Sequence, residues 1–237
     1  MKYLFPVLMA LSGSLVFLIA CNDSEIGNNR DVNPDAVYFD YKVWSEEGRE
    51  NAVVKLQYRM GGPNGTTLVL NEPSKVSFDD MEIPVDSTRF DGAYYEVTTP
   101  LAGFAGRHTI VYTGLDGKEY KEAFDFTPFT LDPDVPEQLE RGDLVFHFRG
   151  LDKEDYLRIW LSDTLFSSDD INEVDTVRNG QLTISREKLE NIADGPINLQ
   201  FFKEFDQPLK NPSPEGGSLN IKYGLKREFE LRSSNGT

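Results

Sequence analysis

The chain has 237 residues, enough for two domains of ordinary size, with 40 acidic against 24 basic residues and a formal charge of −16. No basic cluster longer than short ones such as Lys226-Arg227 interrupts that acidity, which excludes phosphate-backbone binding and removes nucleic acid from the expected partners. A single cysteine excludes an internal disulfide framework, and two histidines leave little room for a histidine-rich metal centre.

Residues 1–20 read as a secretory leader. Lys2 supplies the cationic start, the run from Leu4 to Ala20 is apolar apart from Ser12, Gly13 and Ser14, and it stops at Cys21. The tetrapeptide Leu18-Ile19-Ala20-Cys21 resembles the lipobox of bacterial lipoproteins. That resemblance implies lipidation of Cys21 and cleavage on its amino side. The expected partner of this end is then a membrane, since acyl chains anchor through their buried methylene groups. The expected location is the outer membrane, on its periplasmic or its outward face.

Residues 21–35 are polar, with Asp23, Glu25, Asp31 and Asp35 against Arg30, and are expected to form a flexible tether. Asn22-Asp23-Ser24-Glu25 resembles, in diluted form, the acidic surface-export signal of Bacteroidota lipoproteins.

Alternation of apolar and polar residues then predicts strands with one buried face. Over 36–127 it runs through Val37, Phe39, Tyr41 and Val43, then Val54, Leu56, Tyr58 and Met60. Val76 and Phe78, Tyr95 and Val97, Ile110 and Tyr112, and Tyr120, Phe124 and Phe126 continue it. Asn64-Gly65 and Asp116-Gly117 offer tight hairpin turns between such runs. Residues 128–142 hold Pro128, Pro133 and Pro136 among acidic side chains and read as a stiffened linker. From 143 to 233 the pattern returns in Leu144, Phe146 and Phe148; Leu157, Ile159 and Leu161; Leu182 and Ile184; Ile197, Leu199 and Phe201; Leu219, Ile221 and Tyr223; and Phe229 and Leu231. Residues 234–237 form a tail.

The fold class expected is all-β: two immunoglobulin-like β-sandwich domains in tandem, after a lipoprotein signal peptide and tether. A short internal repeat agrees with duplication, for Leu101, Gly106 and the strand through Ile110 mirror Leu189, Gly195 and the strand through Ile197. The whole resembles Bacteroidota lipoproteins with tandem immunoglobulin-like domains, a resemblance that implies no activity.

The sequence contains no constellation that identifies a reaction. His108 shares parity with Ile110 and is expected at the core boundary, whereas His147 is expected in solvent. No cysteine nucleophile, nucleophile elbow or phosphate-cradling glycine loop accompanies them. Asp79-Asp80 and Asp169-Asp170 read as loop acids. Asp169, Asp170, Asn172, Glu173 and Asp175 crowd onto a predicted loop after the Tyr156–Leu161 strand. Asp170, Asn172 and Asp175 are the metal candidates there, although the glycine and distal glutamate of a calcium loop are missing.

Trp44, Tyr38, Tyr94 and Trp160 fall on outward parity and are the candidates for stacking on sugar rings, against the alternative of covering an interdomain contact. Asp86-Ser87-Thr88, Asp163-Thr164-Leu165 and Asp175-Thr176-Val177 resemble the O-glycosylation tripeptide of Bacteroidota, with Ser87, Thr164 and Thr176 as acceptors. The expected function is a noncatalytic, lipid-anchored envelope module that binds a glycan or an envelope protein, with no cofactor. A polysaccharide hydrolase using paired carboxylates is the alternative.

Overall fold

The computed structural model describes residues 25–165 and 169–233. The leader, Cys21 and the 234–237 tail lie outside the described residues. The first half contributes β1 (Ile26–Asn28), β2 (Val37–Glu46), β3 (Asn51–Met60), β4 (Thr66–Val69), β5 (Lys75–Phe78), β6 (Met81–Glu82), β7 (Val85–Thr88), β8 (Gly92–Pro100), β9 (Gly106–Thr113) and β10 (Glu119–Phe126). The second contributes β11 (Thr130–Leu131), β12 (Gln138–Glu140), β13 (Leu144–Arg149), β14 (Glu154–Ser162), β15 (Ile171–Arg178), β16 (Gln181–Ile184), β17 (Gly195–Pro208) and β18 (Gly217–Arg232). Three short 3-10 turns complete the assignment. Among the described residues there is no α-helix, and none long and apolar enough to cross a membrane.

The protein is all-β, built from packed sheets. A fourteen-stranded sheet runs β1-β4-β3-β2-β18-β17-β14-β15-β16-β13-β11, with β8 beside β3, β7 beside β8 and β12 beside β18. A four-stranded sheet, β10-β9-β5-β6, covers the inner face of β2 and β3. Period-two alternation decides which side chains meet in that layer. Phe39 packs edge-on against Tyr112 at 5.0 Å and Tyr120 at 5.4 Å, and Tyr58 stacks on Tyr112 at 4.6 Å. The Tyr41 and Tyr58 hydroxyls satisfy each other at 3.2 Å, and burial pushes both phenols well above their ordinary pKa.

The large sheet also folds over itself. β15 and β16 share a single pair, Arg178↔Gln181, at the Asn179-Gly180 corner, and beyond it β13 returns so that Phe146 and Phe148 land on Phe201 of β17 at 5.2 and 5.0 Å.

The two halves share this sheet. The first eight residues of β18 pair in parallel with β2, from Gly217↔Phe39 to Gly224↔Glu46, while all fourteen residues of β17 line the other side of β18. At its far end β18 takes β12 as a second parallel neighbour. Residues 128–142 are therefore threaded into the sheet through β11 and β12. Pro128, Pro133 and Pro136 each fall two residues outside a short strand, where no ladder N–H is needed. Tyr223 closes the junction, with Phe126 at 5.9 Å and Phe129 at 5.4 Å, and one hydrophobic cluster runs through both halves.

The apolar positions named above are buried, with two exceptions: Val97 is half-buried and Met60, at the last position of β3, is exposed. Three further local expectations need correction. Part of the tether is a strand, because β1 pairs in parallel with β4 and the Asn29 side chain accepts the Asn71 N–H at 2.9 Å; backbone pairing requires no apolar pattern. Between β3 and β4 the positive backbone angles fall on Gly61 and Gly62, not on Asn64-Gly65, whose glycine lies against the Met60 carbonyl. The acidic stretch after β14 is a strand, β15, whose backbone is claimed along its length by β14. In the internal repeat, Gly106 and Gly195 each open a strand with nearly the same φ, 120° and 125°.

Candidate functional site

The outward parity of β2 carries Trp44, flanked in register by Val53 of β3 on one side and Lys222 of β18 on the other; Val53 in turn faces Thr98 of β8. Trp44 remains 37% exposed, since the second sheet covers only the opposite face. Its indole borders a cleft of about 600 Å³ whose other walls include Glu46, Arg49, Glu50, Asn51 and Thr98. The β2–β3 turn builds one end of it. The Ser45 hydroxyl donates to the Asn51 carbonyl at 2.9 Å, and the Arg49 N–H returns to the Glu46 carbonyl at 3.1 Å. Arg227 of β18 holds the neighbouring Glu47 and Asp134 together, and that guanidinium keeps the Asp134 carboxyl below its usual range. The cleft thus offers one aromatic face ringed by amide, hydroxyl, carboxylate and guanidinium groups, a donor and acceptor set suited to a polar ligand with an apolar side.

The other predicted stacking residues share the sheet face but not the cleft. Tyr38 is half-buried and lies six residues from Trp44 along β2, about 20 Å away at roughly 3.3 Å per residue. Tyr94 is a correction: it is only 9% exposed, because Lys55 lies 4.2 Å above its ring and its hydroxyl donates to Asp86 of β7 at 3.3 Å. Trp160 is 42% exposed on β14, and its indole N–H reaches the Asp170 carboxylate at 3.3 Å. Tyr156 and Phe202, which share that outward face, were not singled out from the sequence. The signal was present in the same alternation that exposes Trp160.

The metal candidates do not converge. Asn172 and Asp175 differ in parity on β15 and so project to opposite faces. Asn172 accepts from Arg158 at 2.9 Å, Asp170 from Trp160, and Asp175 from Lys188 at 3.0 Å, which also holds Glu173 at 2.5 Å. Among the described residues no three histidine, cysteine or acidic side chains are placed to hold one ion. Of the glycosylation candidates, Ser87 and Thr164 are exposed, whereas Thr176 is half-buried in β15.

His108 sits at the core boundary between Phe104, 4.1 Å away, and Phe78. Its Nδ1 meets Asp79 at 2.6 Å and its Nε2 meets the Phe104 carbonyl at 2.7 Å, so neither nitrogen is open to a substrate. His147 is exposed. The carboxyls that are displaced, Asp91, Asp134, Asp175 and Asp194, are all lowered. For Asp91 the cause is Lys55, for Asp134 it is Arg227, and for Asp194 the Ser233 hydroxyl followed by Arg141. At Asp175 burial pushes upward and is outweighed by Lys188, the Thr176 N–H and Arg178 together. A general acid for glycoside hydrolysis needs the opposite displacement.

No protein-family model matches the chain, and no curated protein does. Solved structures similar to it include DIP-gamma IG1+IG2, at 12% identity and TM-score 0.23 over 79% of this chain and 94% of that one. The Yersinia pseudotuberculosis adhesin InvE gives 13% and 0.22 over 83% and 61%. The Bacteroides ovatus mixed-linkage glucan utilization locus protein SGBP-B, in complex with a mixed-linkage heptasaccharide, gives 12% and 0.18 over 89% and 66%. Likenesses of that order carry no argument about ligand or activity. The all-β assignment rests on the strand pairing itself.

Proposed function

We propose that this protein is a noncatalytic binding module of the cell envelope, its sheets forming immunoglobulin-like sandwiches in tandem, and that the Trp44 cleft captures a carbohydrate. One observation carries the proposal: a half-exposed indole lies in a cleft of about 600 Å³ whose lining mixes apolar surface with the hydrogen-bonding side chains of Glu46, Arg49, Glu50, Asn51 and Thr98. Sugars present C–H faces that lie flat on an aromatic ring and hydroxyls that need partners at the rim, and this cleft supplies both. The locked His108 is the support for binding without hydrolysis. Lipidation at Cys21 would hold the module on the outer membrane.

A glycan array probed with the purified protein tests the ligand class. The expected result is a defined set of bound glycans, lost in Trp44→Ala, with the bound glycan recovered uncut after prolonged incubation. Binding that is indifferent to Trp44 would overturn the site, and release of new reducing ends would turn the assignment to a hydrolase. Protease shaving of intact cells, beside Cys21→Ala, reads anchorage and the side of the membrane on which the protein lies.

A further inference from the structure

The outer face of the large sheet does not end at the Trp44 cleft. A second depression of about 220 Å³ lies on the same face, bordered by Tyr156, Arg158, Phe202, Glu204 and Asn220. Strand register fixes how the two are connected. One row of outward residues runs Glu204–Lys222–Trp44–Val53–Thr98 across five strands, and the next runs Val174–Arg158–Phe202–Gly224–Glu46. Both depressions therefore lie along the same two rows, with β18 alone between them.

That strand raises no wall. Gly224 stands where the second row crosses β18, and a Cβ there would come within 2.7 Å of the Phe202 ring, so the ring lies down over the bare backbone. In the first row Lys222 bends over the same ring, its ammonium 4.3 Å from the centroid. The floor between the depressions is thus low: the Phe202 ring, only 8% exposed, is packed on Gly224 beneath the Lys222 side chain, so a ligand crossing β18 meets the lysine stem and the ring edge. Tyr156, 58% exposed, stands at the far end. Three strand spacings of about 4.8 Å place it roughly 14 Å from Trp44.

We propose that the Trp44 cleft and the Tyr156 groove are two ends of one binding track, crossing the β2–β18 seam, and that its ligand is an uncharged oligosaccharide several sugars long. This rests on the carbohydrate assignment of the cleft. Arg49, Arg158 and Lys222 stand against Glu46, Glu50, Glu204 and Asp206 along the track, so donors and acceptors of both signs are interspersed with one negative charge in excess, a field too weak to select an ion. An extended peptide would pair along a strand edge rather than run across strands. Successive strands twist by about 20–25°, so the track curves, which suits a chain with a rotatable linkage at every unit.

The test is calorimetry with an oligomer series of whichever glycan the array identifies, from disaccharide to hexasaccharide. Affinity is expected to rise at least tenfold between the shortest and longest members. Tyr156→Ala is expected to remove about that gain for the hexasaccharide while leaving the shortest bound oligomer unchanged, and Trp44→Ala to weaken all of them. Tyr156 is exposed, so an unchanged urea midpoint in its variant shows that the loss is one of contact. If affinity is flat with length, or Tyr156→Ala is silent while Trp44→Ala is not, the track is wrong and the cleft stands alone. If the unmodified protein binds nothing on the array, the carbohydrate assignment itself fails.

Discussion

Trp44 and Lys222 face each other across the parallel pairing of β2 with β18, so a residue of the first half and a residue of the second are neighbours on one sheet surface. Eight residue pairs make that seam, and Tyr223 packs the junction beneath it. Two parts joined through ladder hydrogen bonds and shared core should unfold as one cooperative unit. The chain holds two tryptophans, one in each half. Trp160→Phe leaves Trp44 as the sole indole reporter, and Trp44→Phe leaves Trp160. Urea unfolding followed by fluorescence in these two variants is expected to give coincident transitions; well-separated midpoints would show that the seam does not couple the halves.

Lys203 and Asp155 form a buried ion pair at 2.5 Å, with side chains 7% and 6% exposed. Asp155 also accepts the Tyr156 N–H at 2.9 Å. Removing one partner strands the other charge away from water, which costs about 3–5 kcal/mol. Lys203→Met is expected to fall in that range by chemical denaturation, and Lys203→Met with Asp155→Leu to recover much of the loss. Additive single effects would mean that the pair is not coupled.

Asp79 and Asp80 both adopt left-handed backbone, at φ 45° and 65°, in the two-residue turn between β5 and β6, yet only Asp79 is tied elsewhere. Its carboxylate accepts the Thr109 N–H at 2.8 Å and meets His108. Asp80→Gly relieves an unfavourable angle and is expected to stabilise by about 0.5–1 kcal/mol. Asp79→Gly gives up both anchors and is expected to cost about 1–2 kcal/mol. The opposite signs, read from thermal melts, separate backbone strain from side-chain anchoring.

Asp194 is held down to about 2 by the Ser233 hydroxyl and by Arg141. A carboxyl depressed in the folded state contributes stability that is present above its ordinary value of 3.8 and disappears as pH falls toward 2. Asp91, Asp134 and Asp175 are displaced in the same direction. Stability is expected to drop between about pH 4 and pH 2, with a shallower drop in Asp194→Asn. An NMR titration of the Asp194 carboxyl with a midpoint near the ordinary value would contradict this.

Burial along each strand was legible from the residues alone. Val37 to Val43, Leu144 to Phe148 and Leu157 to Leu161 go into the core at the parity their alternation sets, because a strand has no other way to segregate its side chains. The same rule exposes Trp44 and Trp160. What it cannot carry is which strand lies beside which. Tyr94 has outward parity yet is covered, since β7 and Lys55 reach it from elsewhere in the chain. The acids of β15 looked like a loop because their partners, Arg158 and Lys188, are distant in sequence. The seam was invisible for the same reason: parallel pairing of residues 39–46 with 217–224 leaves no mark in either segment, both of which alternate as any half-buried strand does. Local pattern decided the faces of this protein. Only the tertiary structure, through non-local hydrogen bonding and the shared core, decided that those faces join into one surface with Trp44 near its middle.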